Sequence, residues 1–160
     1  MHINFVASIW QIFAPLFLGA PLVVYPESVI INGYKFFKRV EDDNVNVVEV
    51  IPSLLNSYLN LIENNLEKLQ LKSLRMLVLT GEKVQPSLVN RFYKQYRSGL
   101  VNAYVQSECS DDTLHYRIPY CTETDTVPIG RPSNNTKVYI LNRNNRVHPE
   151  GVQGELYISG

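Results

Sequence analysis

Residues 74–104 read LRMLVLTGEKVQPSLVNRFYKQYRSGLVNAY. Leu74 to Leu79 form a short apolar run with the length of a buried strand, and the run stops at Thr80-Gly81. From Pro86 to Tyr96, the apolar residues Leu88, Val89, Phe92 and Tyr96 recur along one helical face, and the proline sits where a first helical turn accepts one. Leu100 to Tyr104 is again strand-like. A strand, a helix and a strand of these lengths predict two parallel strands joined by a helical crossover.

The same alternation extends upstream. Val45 to Ile51 is rich in β-branched residues and reads as a buried strand, and Pro52 then opens a helix with Leu54, Leu55, Tyr58, Leu61 and Ile62 on one stripe. Ile30 to Val40 places Tyr34, Phe37 and Val40 at helical spacing. Ile3 to Tyr25 lacks any charged residue. Pro15, Gly19 and Pro21 divide that stretch into an apolar helix and a short strand, Leu22 to Tyr25. With His2 as the sole candidate for a basic flank, the stretch reads as buried core, not as a membrane span or a signal peptide.

Downstream, the pattern changes after Tyr116. Pro119, Pro128, Gly130 and Pro132 mark a loop-rich stretch, after which Lys137 to Leu141 and Glu155 to Ile158 alternate as antiparallel strands do. The expectation is an α/β fold. Residues 1–116 form a mostly parallel sheet with flanking helices, and residues 117–160 form a β-rich segment. Strand-like residues stand at both ends, Ile3 to Phe5 and up to Gly160, so the chain reads as a piece of a larger domain.

Composition narrows the function classes. Of 160 residues, 45% are hydrophobic and 19% charged, a balance that suits a folded globular chain. The 15 basic and 15 acidic side chains cancel, so no overall field favours nucleic acid or an anionic membrane. Cys109 and Cys121 are too few for a disulfide framework and lack metal-ligand spacing, and a reducing, cytoplasmic setting is expected.

Four segments, in order, resemble the adenylate-forming superfamily and, within it, the adenylation domains of nonribosomal peptide synthetases. Phe5-Val6-Ala7-Ser8 and the following Ile9 to Phe13 are similar to the family's F-D-x-S segment and its helix. Asn102-Ala103-Tyr104-Val105-Gln106-Ser107-Glu108 resembles N-x-Y-G-P-T-E, Val127 to Pro132 resembles V-P-I-G-x-P, and Gly154 to Gly160 resembles G-E-L-x-x-x-G. Pro52 to Leu55 and Thr80-Gly81-Glu82 fall where the family has similar segments. Together these cover nearly the whole chain. The resemblance implies the large N-terminal domain of the adenylate-forming fold. It also implies joining a carboxylic acid to the α-phosphate of ATP, with Mg²⁺, before transfer to the phosphopantetheine thiol of a peptidyl carrier.

The resemblance also assigns residues. Asn102, Ala103, Tyr104, Ser107 and Gly81 would meet the nucleotide, with Tyr104 either a stacking platform for adenine or an ordinary core tyrosine. Glu108 would hold Mg²⁺, as a hard carboxylate ligand suits that ion, unless it is a solvated surface acid. Val105 and Gln106 stand where the family has glycine and proline, so a β-branched side chain replaces a residue that permits close backbone approach.

The acyl pocket would be lined by Val6, Ala7, Trp10, Glu49, Val78, Thr80, Ala103, Asp111 and Asp112. Val6 replaces the aspartate that pairs with a substrate ammonium, which implies either an α-keto or α-hydroxy acid or a decayed site. Asp111 and Asp112 read either as ligands of a polar or cationic substrate group or as helix-start acids. Glu49 lies in an apolar run where a carboxylate needs a partner, or else faces out. The family's phosphate loop, ribose-binding aspartate and C-terminal lysine have no counterpart among these residues, so the chain alone is expected to be inactive. The alternatives are an acyl-CoA ligase-like or luciferase-like relative, a non-catalytic remnant or interaction module, and a small independent nucleotide-binding domain. The last is disfavoured because no glycine-rich loop follows any strand.

Overall fold

The computed structural model describes residues 7–64, 67–109, 111–120 and 124–159, and of Asp111 the backbone alone. Val6 and Cys121 lie outside the described residues. Helix α1 spans Ala7–Phe17, α2 Glu27–Ile30, α3 Gly33–Asp42, α4 Pro52–Glu63 and α5 Pro86–Gln95. Strands β1 (Val47–Val50), β2 (Met76–Leu79), β3 (Gly99–Gln106), β4 (Asp111–Ile118) and β5 (Arg131–Pro132) form one sheet in that order. A separate hairpin pairs β6 (Lys137–Leu141) with β7 (Glu155–Ser159).

The strand–helix alternation gives the expected parallel pairing of β1 with β2 and of β2 with β3. Antiparallel pairing begins earlier than the sequence suggests. β4 returns along β3 and crosses residue 116, and β5 adds a short antiparallel edge, so the sheet is mixed. Leu22 to Tyr25 is not a strand. Val24 is 80% exposed, and among the described residues no neighbouring strand supplies a ladder for it. The expected single helix from Ile30 is split, because Asn32 caps a new one by accepting from the Lys35 backbone N–H at 2.9 Å. Pro52 and Pro86 each occupy the first turn of a helix, where a missing N–H costs nothing.

One face of the sheet carries Val48, Val50, Leu77, Leu79, Leu100 and Ile118 into the core formed with α3, α4 and α5. Phe37, Tyr58 and Phe92 are its largest fully buried side chains. Arg91 of α5 ties the outer surface of these helices together. Its guanidinium donates to both Glu63 carboxylate oxygens at 2.9 and 2.7 Å, and to the Asn56 and Asn60 side-chain carbonyls at 2.6 and 2.7 Å. That fork geometry is one a lysine cannot supply.

α1 lies on the opposite face, where Gln11 donates to the Glu49 carboxylate of β1. Ile9, Phe13, Leu16 and Phe17 point away from the sheet and are exposed. With 11 residues, α1 reaches about 16 Å, half a bilayer core. No helix among the described residues is long and apolar enough to cross a membrane.

Candidate functional site

Paired residues of neighbouring strands share a face, and alternate residues along a strand do too. Glu49 pairs with Val78, and Val78 with Val101. Thr80 and Ala103, two residues further along their strands, therefore sit on the same face as Glu49 and Val78. This is the face that α1 covers, bringing Ala7 and Trp10 to it. The sheet thus gathers Ala7, Trp10, Glu49, Val78, Thr80 and Ala103 from four separate elements. Ala7, Val78, Thr80 and Ala103 are buried, and Glu49 and Trp10 are half-buried.

Asp112 completes the group from β4. A register shift at Tyr104/Val105 brings Asp112 opposite Val105. The Thr80 hydroxyl donates to Asp112 Oδ1 at 3.1 Å, and His115 Nε2 lies 3.8 Å from Oδ2. The Asp112 side chain is only 8% exposed, so the Thr80 hydroxyl supplies a partner that a buried carboxylate requires. Asp111 and Asp112 stand on a strand, which corrects the reading of helix-start acids: the period-2 run Leu114, Tyr116, Ile118 carries this segment into the sheet. Glu49 does not simply face out either, since Gln11 holds its carboxylate.

The segment 102–108 leaves the sheet at its carboxyl end. Asn102 is buried, and its Nδ2 donates to the Pro128 carbonyl at 2.8 Å. Its side chain therefore clamps the 127–132 segment beside β3. Tyr104 is half-buried, and its hydroxyl accepts from Gln106 Nε2 at 2.8 Å. Val105 continues the strand without a positive φ, so the branched side chain that replaces glycine imposes no left-handed strain. Ser107 and Glu108 follow in a 3₁₀ turn, Ser107–Cys109, and both are exposed. The Glu108 carboxylate makes no hydrogen bond or ion pair among the described residues. Gly81 turns the chain out of β2 with φ +78.

Removing the Asn102 amide takes away the donor that holds the Pro128 carbonyl, which lies on an exposed residue and can turn to water. Asn102→Ala is expected to cost about 0.5–1.5 kcal/mol. Urea melts and faster proteolytic cleavage within residues 124–130 would register it, whereas unchanged cleavage would mean the clamp is dispensable.

Two depressions lie elsewhere. One of about 490 Å³ opens at the opposite end of β2 and β3, and one of about 390 Å³ beside the β6–β7 hairpin. Neither is lined by the residues gathered above. Open α/β sheets bind ligands outside the carboxyl ends of their strands, which favours the Thr80–Glu108 end as the site.

A model of the AMP-binding enzyme family matches residues 1–160. The chain is 31% identical over 157 residues to tyrocidine synthase 3 of Brevibacillus parabrevis, covering 98% of this chain and 2% of that protein. It is 29% identical over 161 residues to bacitracin synthase 1 of Bacillus licheniformis, covering 98% of this chain and 3% of that one. Among solved structures, the nonribosomal peptide synthetase FmoA3 superposes with a TM-score of 0.87 at 26% identity, over 99% of this chain and 17% of that chain. The four-domain synthetase holo-AB3403, bound to AMP and glycine, gives a TM-score of 0.82 at 25% identity, over 98% of this chain and 11% of that chain. The chain thus spans a small part of the length of the relatives it matches.

Proposed function

Because the chain belongs to the AMP-binding enzyme family and matches peptide synthetases over nearly all its length, we propose that it serves as the acyl-pocket and nucleotide-binding part of an adenylation domain. The domain activates an amino acid or a related carboxylic acid as acyl-AMP for nonribosomal peptide synthesis. The observation that carries this reading is the convergence of Ala7, Trp10, Glu49, Val78, Thr80, Ala103 and Asp112 on one sheet face beside the 102–108 segment.

The reaction makes a bond from the acid's carboxylate oxygen to the α-phosphorus of ATP and breaks the bond to pyrophosphate. In this reading Tyr104 stacks on adenine, and Gly81 and Ala103 let the backbone approach the nucleotide. Ser107 offers a hydroxyl to phosphate. Asn102 acts by holding the 127–132 segment in place. Glu108 is the carboxylate that would hold Mg²⁺. The fit is sound: the side chain is exposed and unengaged, and this ion commonly takes one or two carboxylates plus substrate phosphates. Bound there, the ion would supply positive charge to the phosphate oxygens. The phosphopantetheine thiol of a carrier domain would then take the acyl group, forming the C–S bond as the acyl–oxygen bond to AMP breaks, with AMP leaving and the thiol proton passing to solvent. The 160 residues by themselves are expected to give no exchange, since no serine/threonine- and glycine-rich phosphate loop occurs among them.

We further propose a substrate without an α-ammonium group, an α-keto or α-hydroxy acid. Val6 offers no carboxylate where the family's aspartate stands, and the two carboxylates on this face are held by side chains of the protein itself, Asp112 by the Thr80 hydroxyl and Glu49 by the Gln11 amide. A buried cation without a partner costs about 3–5 kcal/mol, so amino acids should be slower by roughly 100-fold or more. ATP–pyrophosphate exchange on the full-length protein tests both levels. Exchange driven by keto or hydroxy acids above their amino counterparts is expected. Exchange driven by amino acids alone would sink the substrate assignment, and no exchange with any acid would favour a non-catalytic remnant.

A further inference from the structure

Outside the proposed site, a group of exposed cations stands at the other end of the sheet. The depression of about 490 Å³ has Leu71, Leu74 and Tyr96 as its buried floor, and Lys72, Arg75 and Arg97 stand exposed around it. No acidic side chain lines it. Lys68 adds a cation whose Nζ lies 5.3 Å from the centre of the Tyr96 ring. On the helices Lys38 is matched with Asp42, Arg39 with Asp43 and Arg91 with Glu63. Lys72, Arg75 and Arg97 have no ion pair among the described residues.

The backbone that presents these cations is pinned. The Glu41 carboxylate accepts from the backbone N–H groups of Gln70 and Leu71 at 2.6 and 3.1 Å, and Leu71 holds a left-handed φ of +47. Asn46 donates to the Ser73 carbonyl at 2.8 Å, and Ser98 to the Leu74 carbonyl at 2.8 Å. Arg97 donates to the Tyr93 carbonyl at 2.8 Å and lies 4.5 Å over the Tyr120 ring. The backbone is fixed while the Lys72 and Arg75 side chains stay exposed, so little backbone ordering remains to be done on binding.

We propose that this depression docks an acidic protein segment, one that presents several Asp or Glu side chains from a neighbouring domain or protein. Small anions are held by a few buried, convergent polar groups. Here the cations are exposed at a rim over an apolar floor, and each single pair would be weak. Several carboxylates on one chain add such pairs, and the unmatched positive field speeds their encounter. The surface lies at the far end of the strands from Thr80 and Glu108, so docking leaves the proposed site open.

The test is fluorescence anisotropy of a fluorescein-labelled Glu-Gly repeat peptide titrated with the full-length protein, with a Gln-Gly peptide as control. Saturable binding of the acidic peptide alone is expected, weakening as salt is raised. The double charge reversal Lys72→Glu with Arg75→Glu should weaken it by about ten-fold or more, while Lys137→Glu, on β6, should leave it unchanged. Both residues are exposed, so the double variant should keep the parent's circular dichroism. Equal binding by the double variant would overturn the proposal. So would saturable binding of inorganic phosphate that depends on Lys72 and Arg75 when the peptide does not bind.

Discussion

Gly130→Ala is expected to detach β5 from the sheet and to lower stability by about 4 kcal/mol or more, at the extreme of single substitutions. Two independent faults act at this position. Gly130 has φ +100, which an L side chain rarely adopts, and holding it there costs about 1–3 kcal/mol. A Cβ on Gly130 would also fall 2.0 Å from the His115 carbonyl oxygen and 2.5 Å from the Tyr116 backbone nitrogen. Neither is a flexible side-chain end, so the backbone of the 127–132 segment must move away from β4. The Pro128 carbonyl then leaves Asn102, and Arg131 and Pro132 leave His115 and Leu114. Hydrogen exchange should show lost protection at the backbone amides that pair β4 with β5, with β1 and β2 much less affected. Retained protection there would mean that the close approach is not required. The glycine of the V-P-I-G segment thus has a mechanical reason: the chain must pass against the strand that carries Asp112.

Much of this architecture was legible because its signals were local. Pro52 and Pro86 mark helix starts, and Leu88, Val89 and Phe92 repeat at helical spacing, so α4 and α5 follow directly. The parallel pairing follows from the length of the crossovers. β4 was missed although Leu114, Tyr116 and Ile118 alternate with Thr113, His115 and Arg117. Two aspartates and a preceding 3₁₀ turn mask that alternation at its start. Leu22 to Tyr25 failed in the opposite way, since an apolar run becomes a strand only where a neighbour supplies hydrogen bonds. The grouping of the candidate pocket residues came from motif resemblance, and the sheet brings Glu49, Val78, Thr80 and Ala103 to one face. The roles of Asn102, Gln11 and His115 were not legible. Their partners, Pro128, Glu49 and Asp112, are contacts that no sequence period encodes.

Beneath that face, Phe37→Ala is expected to remove about 3–5 kcal/mol, a large share of the roughly 5–15 kcal/mol that usually holds a domain folded. Phe37 is fully buried, stacks on Tyr58 at 4.6 Å between ring centres and meets Phe36 edge-on at 5.4 Å. Truncation leaves a cavity walled by aromatic rings that stiff helices cannot close. Tyr58 is the group that reports it. Its hydroxyl meets that of Tyr96, which donates to the Leu69 carbonyl at 3.0 Å, and burial pushes both phenols above the ordinary tyrosine value of 10.0. A raised phenol contributes stability that is complete below that value and lost as pH rises through the folded-state value. Water entering the cavity would lower the Tyr58 value toward the ordinary one. Alkaline titration followed by phenolate absorbance should therefore show an earlier transition in the variant, alongside a lower urea midpoint. A lower midpoint with an unchanged titration would mean that the helices close the cavity without wetting the tyrosine pair. An unchanged midpoint would remove Phe37 from the core that supports β1 to β3, and with them the face where the proposed pocket is built.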